Sequence, residues 1–289
     1  MKARWWKAEE QGRAEADPVF RCGLCFRGCR LAAGAAGYCG ARAGADKGLV
    51  SPYLGRFSSC AVDPIEKKPL LHWRPGTRIL SLGSLGCTMR CPFCQNHAIA
   101  QPRRPLPLTD ISPRELVAKT LELGLRAVAY TYNEPTLQAE FILEAAPLLR
   151  RAGLATVLVT NGLTAREPLE ELTPWLDAVN LDVKTFNEAA YAAMGGSLAT
   201  VKNTAAYLAG AGVHLELTAL IVPGLSDDEE EFVRLTAWAA SVSPSLPLHI
   251  SRYFPAHAYG APPTDMALLK RFQSLASERL QHVHLGNVP

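Results

Sequence analysis

From residue 78 onward, apolar segments of strand length recur at 78–83, 126–132, 154–160, 177–183, 213–221, 246–253 and 282–288. Most are separated by stretches with helical spacing. Ser112-Pro113-Arg114-Glu115 reads as a capping box with proline at the first helical position, and Gly124 closes that helix. Thr164-Ala165-Arg166-Glu167 and Ser226-Asp227-Asp228-Glu229 repeat the start signal, and Gly153 and Gly212 mark helix ends just before strands. Phe232, Leu235, Trp238 and Ala239 share one face of a helix over 227–241. Parallel strands need crossover connections, so this alternation predicts an α/β fold with a parallel sheet. Six or seven units fit a TIM-like barrel, full or incomplete.

The residues ahead of this rhythm are organised differently. Residues 21–50 hold four cysteines and seven glycines with little apolar periodicity, which predicts a small ligand-stapled module. Residues 1–20 are polar and expected to be peripheral, and 51–77, with Asp63-Pro64-Ile65-Glu66-Lys67-Lys68-Pro69-Leu70, read as an irregular connector. The expected division is a cysteine-rich module with its connector over 1–77 and the barrel over 78–289. A length of 289 residues and 48% hydrophobic composition suit one large domain with an appendage. No charge-free apolar run is long enough to span a bilayer, and Met1–Lys7 lacks a signal-peptide apolar region. A cytoplasmic protein with no membrane partner is expected.

All eight cysteines, at 22, 25, 29, 39, 60, 87, 91 and 94, lie in the first third of the chain. Cytosolic thiols stay reduced, so clusters of them point to metal or catalysis rather than disulfides. Cys87, Cys91 and Cys94 have C-x3-C-x2-C spacing. Four thiolates complete a 4Fe–4S cluster; three leave one iron without a protein ligand. An open coordination position marks a reactive metal site, as in three-ligand catalytic zinc. The competing reading is a zinc site that borrows a fourth ligand such as His97, with an odd spacing for zinc.

Residues 1–110 carry 17 Lys/Arg against 8 Asp/Glu, whereas 111–289 carry 13 against 19. The plain reading is a solvated basic surface; the sharper one is a docking face for an acidic electron donor or protein substrate. No dense basic run with interleaved aromatics occurs, so nucleic acid is not expected.

Barrel enzymes place their chemistry in the loops after the strands. Here those loops hold the cysteine triad, then Asn133-Glu134-Pro135, then Thr160-Asn161-Gly162, then Asp182-Val183-Lys184, then Val222-Pro223-Gly224, and finally Arg252, Tyr253 and His257. Each alone has an ordinary reading as a turn or a solvated strand end. Their coincidence on one rim points to a site.

The triad with Phe93 before its last cysteine resembles the cluster loop of radical S-adenosylmethionine (SAM) enzymes. Cys-Gln-Asn after the triad, Tyr-Asn-Glu-Pro-Thr, Val-Thr-Asn-Gly, Leu-Asp-Val-Lys, Val-Pro-Gly-Leu-Ser-Asp and Gly-Asn-Val-Pro are similar to pyruvate formate-lyase-activating-enzyme relatives. Cys22-x2-Cys25-x3-Cys29-x9-Cys39 with Asp63–Leu70 resembles the radical SAM enzymes of AmmeMemoRadiSam systems. The resemblance covers about residues 20–289. It implies an incomplete parallel (β/α)6 TIM-like barrel and an oxidoreductase that reductively cleaves SAM. The 5′-deoxyadenosyl radical so formed abstracts hydrogen from a substrate, with no catalytic side chain beyond the cluster.

By position, the resemblance assigns Asn133 and Glu134 to the methionine amino group of SAM, with Thr160 and Asn161 nearby. It assigns Asp182 and Lys184 to the ribose and carboxylate, Phe93 to the adenine and His257, approximately, to a SAM contact. Val159 stands where relatives with a monovalent cation carry an acidic residue, so that cation is not expected. Relatives also extend past Gly-Asn-Val-Pro with further cysteines, and no C-terminal metal element is expected here.

Cys22, Cys25, Cys29 and Cys39 form a second metal site; structural zinc is favoured over an auxiliary cluster. Cys60 reads as an ordinary thiol, the alternative being a ligand to either site, and Lys67-Lys68 as a solvated connector rather than a substrate clamp. The expected partners are a flavodoxin- or ferredoxin-like electron donor and a protein or small-molecule substrate. The leading function is radical SAM cleavage with hydrogen abstraction from a substrate, installation of a glycyl radical on a partner protein being one form it can take. The alternatives are radical modification of another protein, peptide or small molecule, and a non-catalytic zinc-stapled binding module.

Overall fold

The computed structural model describes residues 2–9 and 18–288. Met1, residues 10–17 and Pro289, parts of the polar N-terminal stretch and the closing Gly-Asn-Val-Pro, lie outside the described residues. The N-terminal module is built of short ladders: β1 (Trp6–Ala8), β2 (Val19–Cys22) and β3 (Arg30–Ala32) form one antiparallel sheet, and β4 (Ala43–Ala45) pairs with β5 (Gly48–Val50). β6 (Arg56–Phe57) pairs with β9 (Thr109–Asp110).

The main sheet holds eight strands in the order β15-β14-β13-β12-β11-β10-β8-β7. Seven are parallel: β8 (Arg78–Gly83), β10 (Ala127–Tyr130), β11 (Ala155–Thr160), β12 (Ala178–Val183), β13 (His214–Ile221), β14 (Leu248–Arg252) and β15 (Val283–Gly286). β7 (Ser59–Pro64) runs antiparallel to β8. Among the described residues β7 and β15 do not pair with each other, so the barrel is incomplete. The helices are α1 (His97–Ala100), α2 (Pro113–Glu122), α3 (Ala139–Arg151), α4 (Arg166–Leu172), α5 (Glu188–Ala193), α6 (Leu198–Gly210), α7 (Glu229–Val242) and α8 (Met266–Ser277).

Local signals decide most of the element ends. Ser112 and Glu115 form the capping box of α2, worth about 1 kcal/mol. Gly124, Gly153 and Gly212 follow α2, α3 and α6 as expected. Two start signals act through other residues. α4 has Ala165 at its N-cap with no side-chain bond, and Thr164 instead bridges to Cys25. Asp228, not Ser226, caps α7, while the Ser226 hydroxyl bonds the Leu220 carbonyl.

The strands' outward faces, including Val128, Tyr130, Leu158, Val179 and Leu181, pack in one core with Ile142, Leu149, Val201, Phe232 and Phe272 of the helices. The inward face is unusual. Barrel interiors normally carry bulky branched residues, but here it presents Ala127, Ala129, Ala155 and Ala178. The space they leave takes Ile65 and Leu70, both fully buried with Ile79 and Val157. The expected connector is thus partly a strand, β7, and partly a thread that fills the lower barrel. Asn180 donates to the Pro69 carbonyl at 2.8 Å, and Glu216 accepts the amides of Leu71 and His72 at 3.1 and 2.9 Å.

The expected peripheral N-terminus is also anchored. Ala3, Trp5 and Phe20 are buried, because β1 and β2 lay them against the same core as the barrel. Arg42 and Glu140 of α3 form a buried pair at 2.7 Å, and the Arg4 amide donates to Glu140 at 2.8 Å. No described helix is long and apolar enough to cross a membrane.

Candidate active site

A cleft of about 320 Å³ opens at the C-terminal ends of the strands, within the range of roughly 300–1,000 Å³ usual for ligand pockets. Its walls include Cys87, Cys91 and Cys94, together with Phe93, Asn133, Glu134, Asn161, Asp182 and Lys184. The structure therefore brings most of the sequence-predicted residues to one place. Thr160 lies behind the wall, its hydroxyl donating to Glu134 Oε1 at 2.8 Å. His257 does not line the cleft: it is exposed, at φ +55°, and stacks on His97 with ring centroids 4.3 Å apart. Cys60 is exposed on β7, paired with Leu82 of β8, and lines neither cavity.

The loop carrying the triad is held from two sides. Asn133 accepts from the Ser84 amide at 3.0 Å and donates to the Gly86 carbonyl at 2.7 Å. On the other side the Cys87 amide donates to the Cys39 carbonyl at 3.2 Å. Gly86 sits at φ +93°, and a Cβ there would lie 2.4 Å from that carbonyl oxygen, so only glycine lets the loop meet the N-terminal module.

Glu134, 1% exposed, anchors the next loop. Its Oε1 accepts from the Thr136 amide (3.1 Å) and hydroxyl (2.7 Å) and from Thr160, and its Oε2 accepts the Asn161 amide at 3.0 Å. Burial pushes its pKa up against these bonds. A carboxylate oxygen offers about two lone pairs, so Oε2 retains room for one more donor. Asn161 in turn donates to Thr88 at 2.9 Å and to the Cys87 thiol at 3.6 Å. Lys184 pairs with Asp182 at 2.8 Å. Burial opposes the lysine's charge, but the Asp182 carboxylate and the Cys91 thiol outweigh it and push its pKa up.

Burial raises all three triad thiols, Cys91 to about 11, with Lys184 pulling Cys91 and Cys94 the other way. Such thiols are held neutral until a metal centre takes them as thiolates. Among the described residues no three His, Cys, Asp or Glu side chains are placed to clasp a single metal ion, at the triad or at Cys22, Cys25, Cys29 and Cys39 alike. A four-iron cubane is several ångströms wide and takes thiolates from further apart than one zinc, with Zn–S near about 2.3 Å. Three thiols on one cleft wall fit the cluster, and a carboxylate lone pair with a lysine opposite fits an amino acid's ammonium and carboxylate.

Cys22, Cys25, Cys29 and Cys39 line a second, smaller cavity together with Arg27, Arg42 and Thr88. Backbone amides bond the Cys22, Cys25 and Cys39 sulfurs, and burial raises those thiols, Cys25 to about 12.

The sequence reading missed Lys67, Lys68, Tyr132, Thr218 and Ser251, which also line the cleft. Thr218 and Ser251 had a signal, as polar residues on inward positions of apolar strands. Lys67 is mostly exposed, as a solvated connector would be, but Lys68 is 2% exposed because the thread carries it inside the barrel.

Residues 82–236 match the Radical SAM superfamily, and the chain belongs to that superfamily. An uncharacterized protein of Methanocaldococcus jannaschii is 34% identical over 277 residues, covering 94% of this chain and 83% of its own. The pyruvate formate-lyase-activating enzyme of Streptococcus mutans is 30% identical over 172 residues, 56% of this chain and 65% of that enzyme. Streptococcus suis SuiB bound to S-adenosylmethionine superposes with TM-score 0.57 at 15% identity, over 77% of this chain and 52% of SuiB. A radical SAM methyltransferase from Sphaerobacter thermophilus gives 0.56 at 13%, over 97% and 76%. At these identities the two structures speak for the fold.

Proposed function

We propose that this chain reductively cleaves S-adenosylmethionine at a 4Fe–4S cluster held by Cys87, Cys91 and Cys94, and that the 5′-deoxyadenosyl radical abstracts hydrogen from a substrate. The observation that carries this reading is that all three thiols share one cleft with Glu134, Asp182 and Lys184. The cluster supplies the electron; the protein supplies binding, orientation and exclusion of water. Glu134 Oε2 takes the methionine ammonium, Lys184 faces the carboxylate as a point charge, Asp182 orients Lys184, and buried Phe93 gives the adenine an apolar wall. Asn133 and Thr160 act one step back, fixing the cluster loop and the Glu134 carboxylate. His257 stays outside this set.

Anaerobically reconstituted protein with dithionite and SAM yields 5′-deoxyadenosine, and the triple alanine variant of the triad yields none. Absence of 5′-deoxyadenosine from the reconstituted wild type sinks the reading. The likeness to the Streptococcus mutans activating enzyme supports a glycyl radical on a partner protein as the product. A glycine-radical EPR doublet on a candidate partner separates that outcome from modification of another protein, peptide or small molecule. The electron comes from a flavodoxin- or ferredoxin-class donor docking on the basic N-terminal third. Reduction insensitive to salt argues against that docking.

Cys22, Cys25, Cys29 and Cys39 hold a second metal centre, supported by their shared cavity. Iron and acid-labile sulfide retained in the triad's triple alanine variant assign a cluster there, and zinc without sulfide assigns a structural ion.

A further inference from the structure

The Asp63–Leu70 segment brings charge into the cleft that the SAM reading does not use. Lys67, Lys68 and Pro69 line the same walls as the cysteine triad. Lys68 donates to Asp63 Oδ2 at 2.7 Å, and its ammonium lies 4.5 Å from the centre of the Tyr132 ring. Tyr132 donates to the same Asp63 oxygen at 2.5 Å. An ammonium has three N–H groups, and among the described residues only Asp63 accepts from Lys68. Donors left over in a buried wall call for an acceptor. Lys67, mostly exposed, lies 3.8 Å from Asp63 Oδ1.

The charges divide by position. The SAM side has Glu134 and Asp182 against Lys184, two carboxylates to one lysine, which suits a ligand with a sulfonium, an ammonium and one carboxylate. The floor has Lys67 and Lys68 against Asp63, two lysines to one carboxylate, which suits an anion. The wall between is fixed in place. Tyr132 stands at φ +70° beside Asn133 and Glu134, and Asn96 donates to its carbonyl at 2.8 Å. A Cβ at Gly83 would lie 2.9 Å from the Tyr132 ring, so the glycine is what admits it. Non-glycine residues held at positive φ concentrate at binding sites.

We propose that Lys68, assisted by Lys67, binds a carboxylate or phosphoryl group of the substrate at the floor of the cleft. This rests on the radical SAM reading for the meaning of the cleft, but the binding itself needs no turnover. Asp63 holds Lys68 in position, and the Tyr132 ring covers one side of its ammonium. The substrate is thereby an anion whose charged end points into the barrel and whose reacting hydrogen faces the triad.

Calorimetric titration of the reconstituted protein, with SAM present, tests this with two probes, inorganic phosphate and malonate. Wild type binds at least one of them, and the tighter probe identifies the anion class. Lys68→Met weakens that probe at least tenfold, Lys67→Met by about twofold to threefold, and Lys68→Arg keeps it within threefold. Because Lys68→Met takes from buried Asp63 its nearest cation, leaving the Tyr132 hydroxyl and the more distant Lys67, the Asp63→Asn/Lys68→Met double variant is measured too. It recovers the melting temperature but not the anion. Wild-type protein that binds neither probe overturns the proposal, as does unaltered binding in both Lys68→Met variants. SAM cleavage by the same wild-type sample is scored separately, so failure of the anion site and failure of the radical SAM reading give different results.

Discussion

The Cys39 carbonyl accepts a hydrogen bond from the Cys87 amide at 3.2 Å. The four-cysteine module therefore touches the cluster loop at the first triad residue, and Gly86 is the point of closest approach. Gly86→Ala forces both a left-handed conformation and a clash with that carbonyl. We expect a loss of about 1–3 kcal/mol, measured by denaturant unfolding, and less iron per chain after reconstitution. Unchanged stability and iron content would contradict the contact.

Glu134→Gln tests the acceptor logic of the site. Both carboxylate oxygens accept a backbone amide, from Thr136 on one and Asn161 on the other, so the amide nitrogen of Gln must face one of these donors and strand it at about 1–3 kcal/mol. SAM affinity falls at least tenfold by calorimetry. Tight SAM binding in this variant would remove Glu134 from the ammonium site.

Arg42→Ala strips the partner from a carboxylate that is itself buried, Glu140, with side-chain exposures of 1% and 5% in the native pair. A loss of about 3–5 kcal/mol is expected. Arg42→Met/Glu140→Leu recovers part of it, since neither charge is then stranded, although the Arg4 amide and carbonyl lose their side-chain partners. A small loss in the single variant would show that water reaches Glu140.

Acidification destabilises the protein in two stages. At the barrel base His72 Nε2 and His284 Nε2 lie 2.8 Å apart, and burial with neighbouring imidazoles lowers the pKa of both. The unfolded chain takes up these protons first, so stability begins to fall below about pH 6.5. Asp63 and Glu216 follow. Burial alone would raise them, but Lys68 and Tyr132 on the one, and His214 and His249 on the other, hold each at about 2. Their contribution is whole above the unfolded carboxylate range near about 4 and is lost as pH falls toward 2. Melting curves from pH 8 to 3 check this, and His284→Asn should flatten the first stage alone.

The barrel was legible because strand period and helix spacing write themselves into residue order. The ends of β8, β11, β12 and β13 fall within one residue of the expected ones. The triad and the Glu134, Asp182 and Lys184 loops were legible because they follow strands directly. The thread was not. Ile65 and Leu70 are two apolar residues among prolines and lysines, and nothing periodic marks them as core. Nor was the group around Glu216, whose His214, His249 and His284 each sit alone on a different strand. His257 followed a motif to the loop after β14, where it stacks on His97 and does not line the cleft.

The thread also gives the barrel a floor. Ile65 and Leu70 occupy the lumen where a ligand would otherwise pass through. Among the described residues β7 and β15 stay unpaired edges. The barrel is therefore an alcove and not a tunnel: whatever enters comes and goes by the C-terminal rim or that unpaired edge, never through the base.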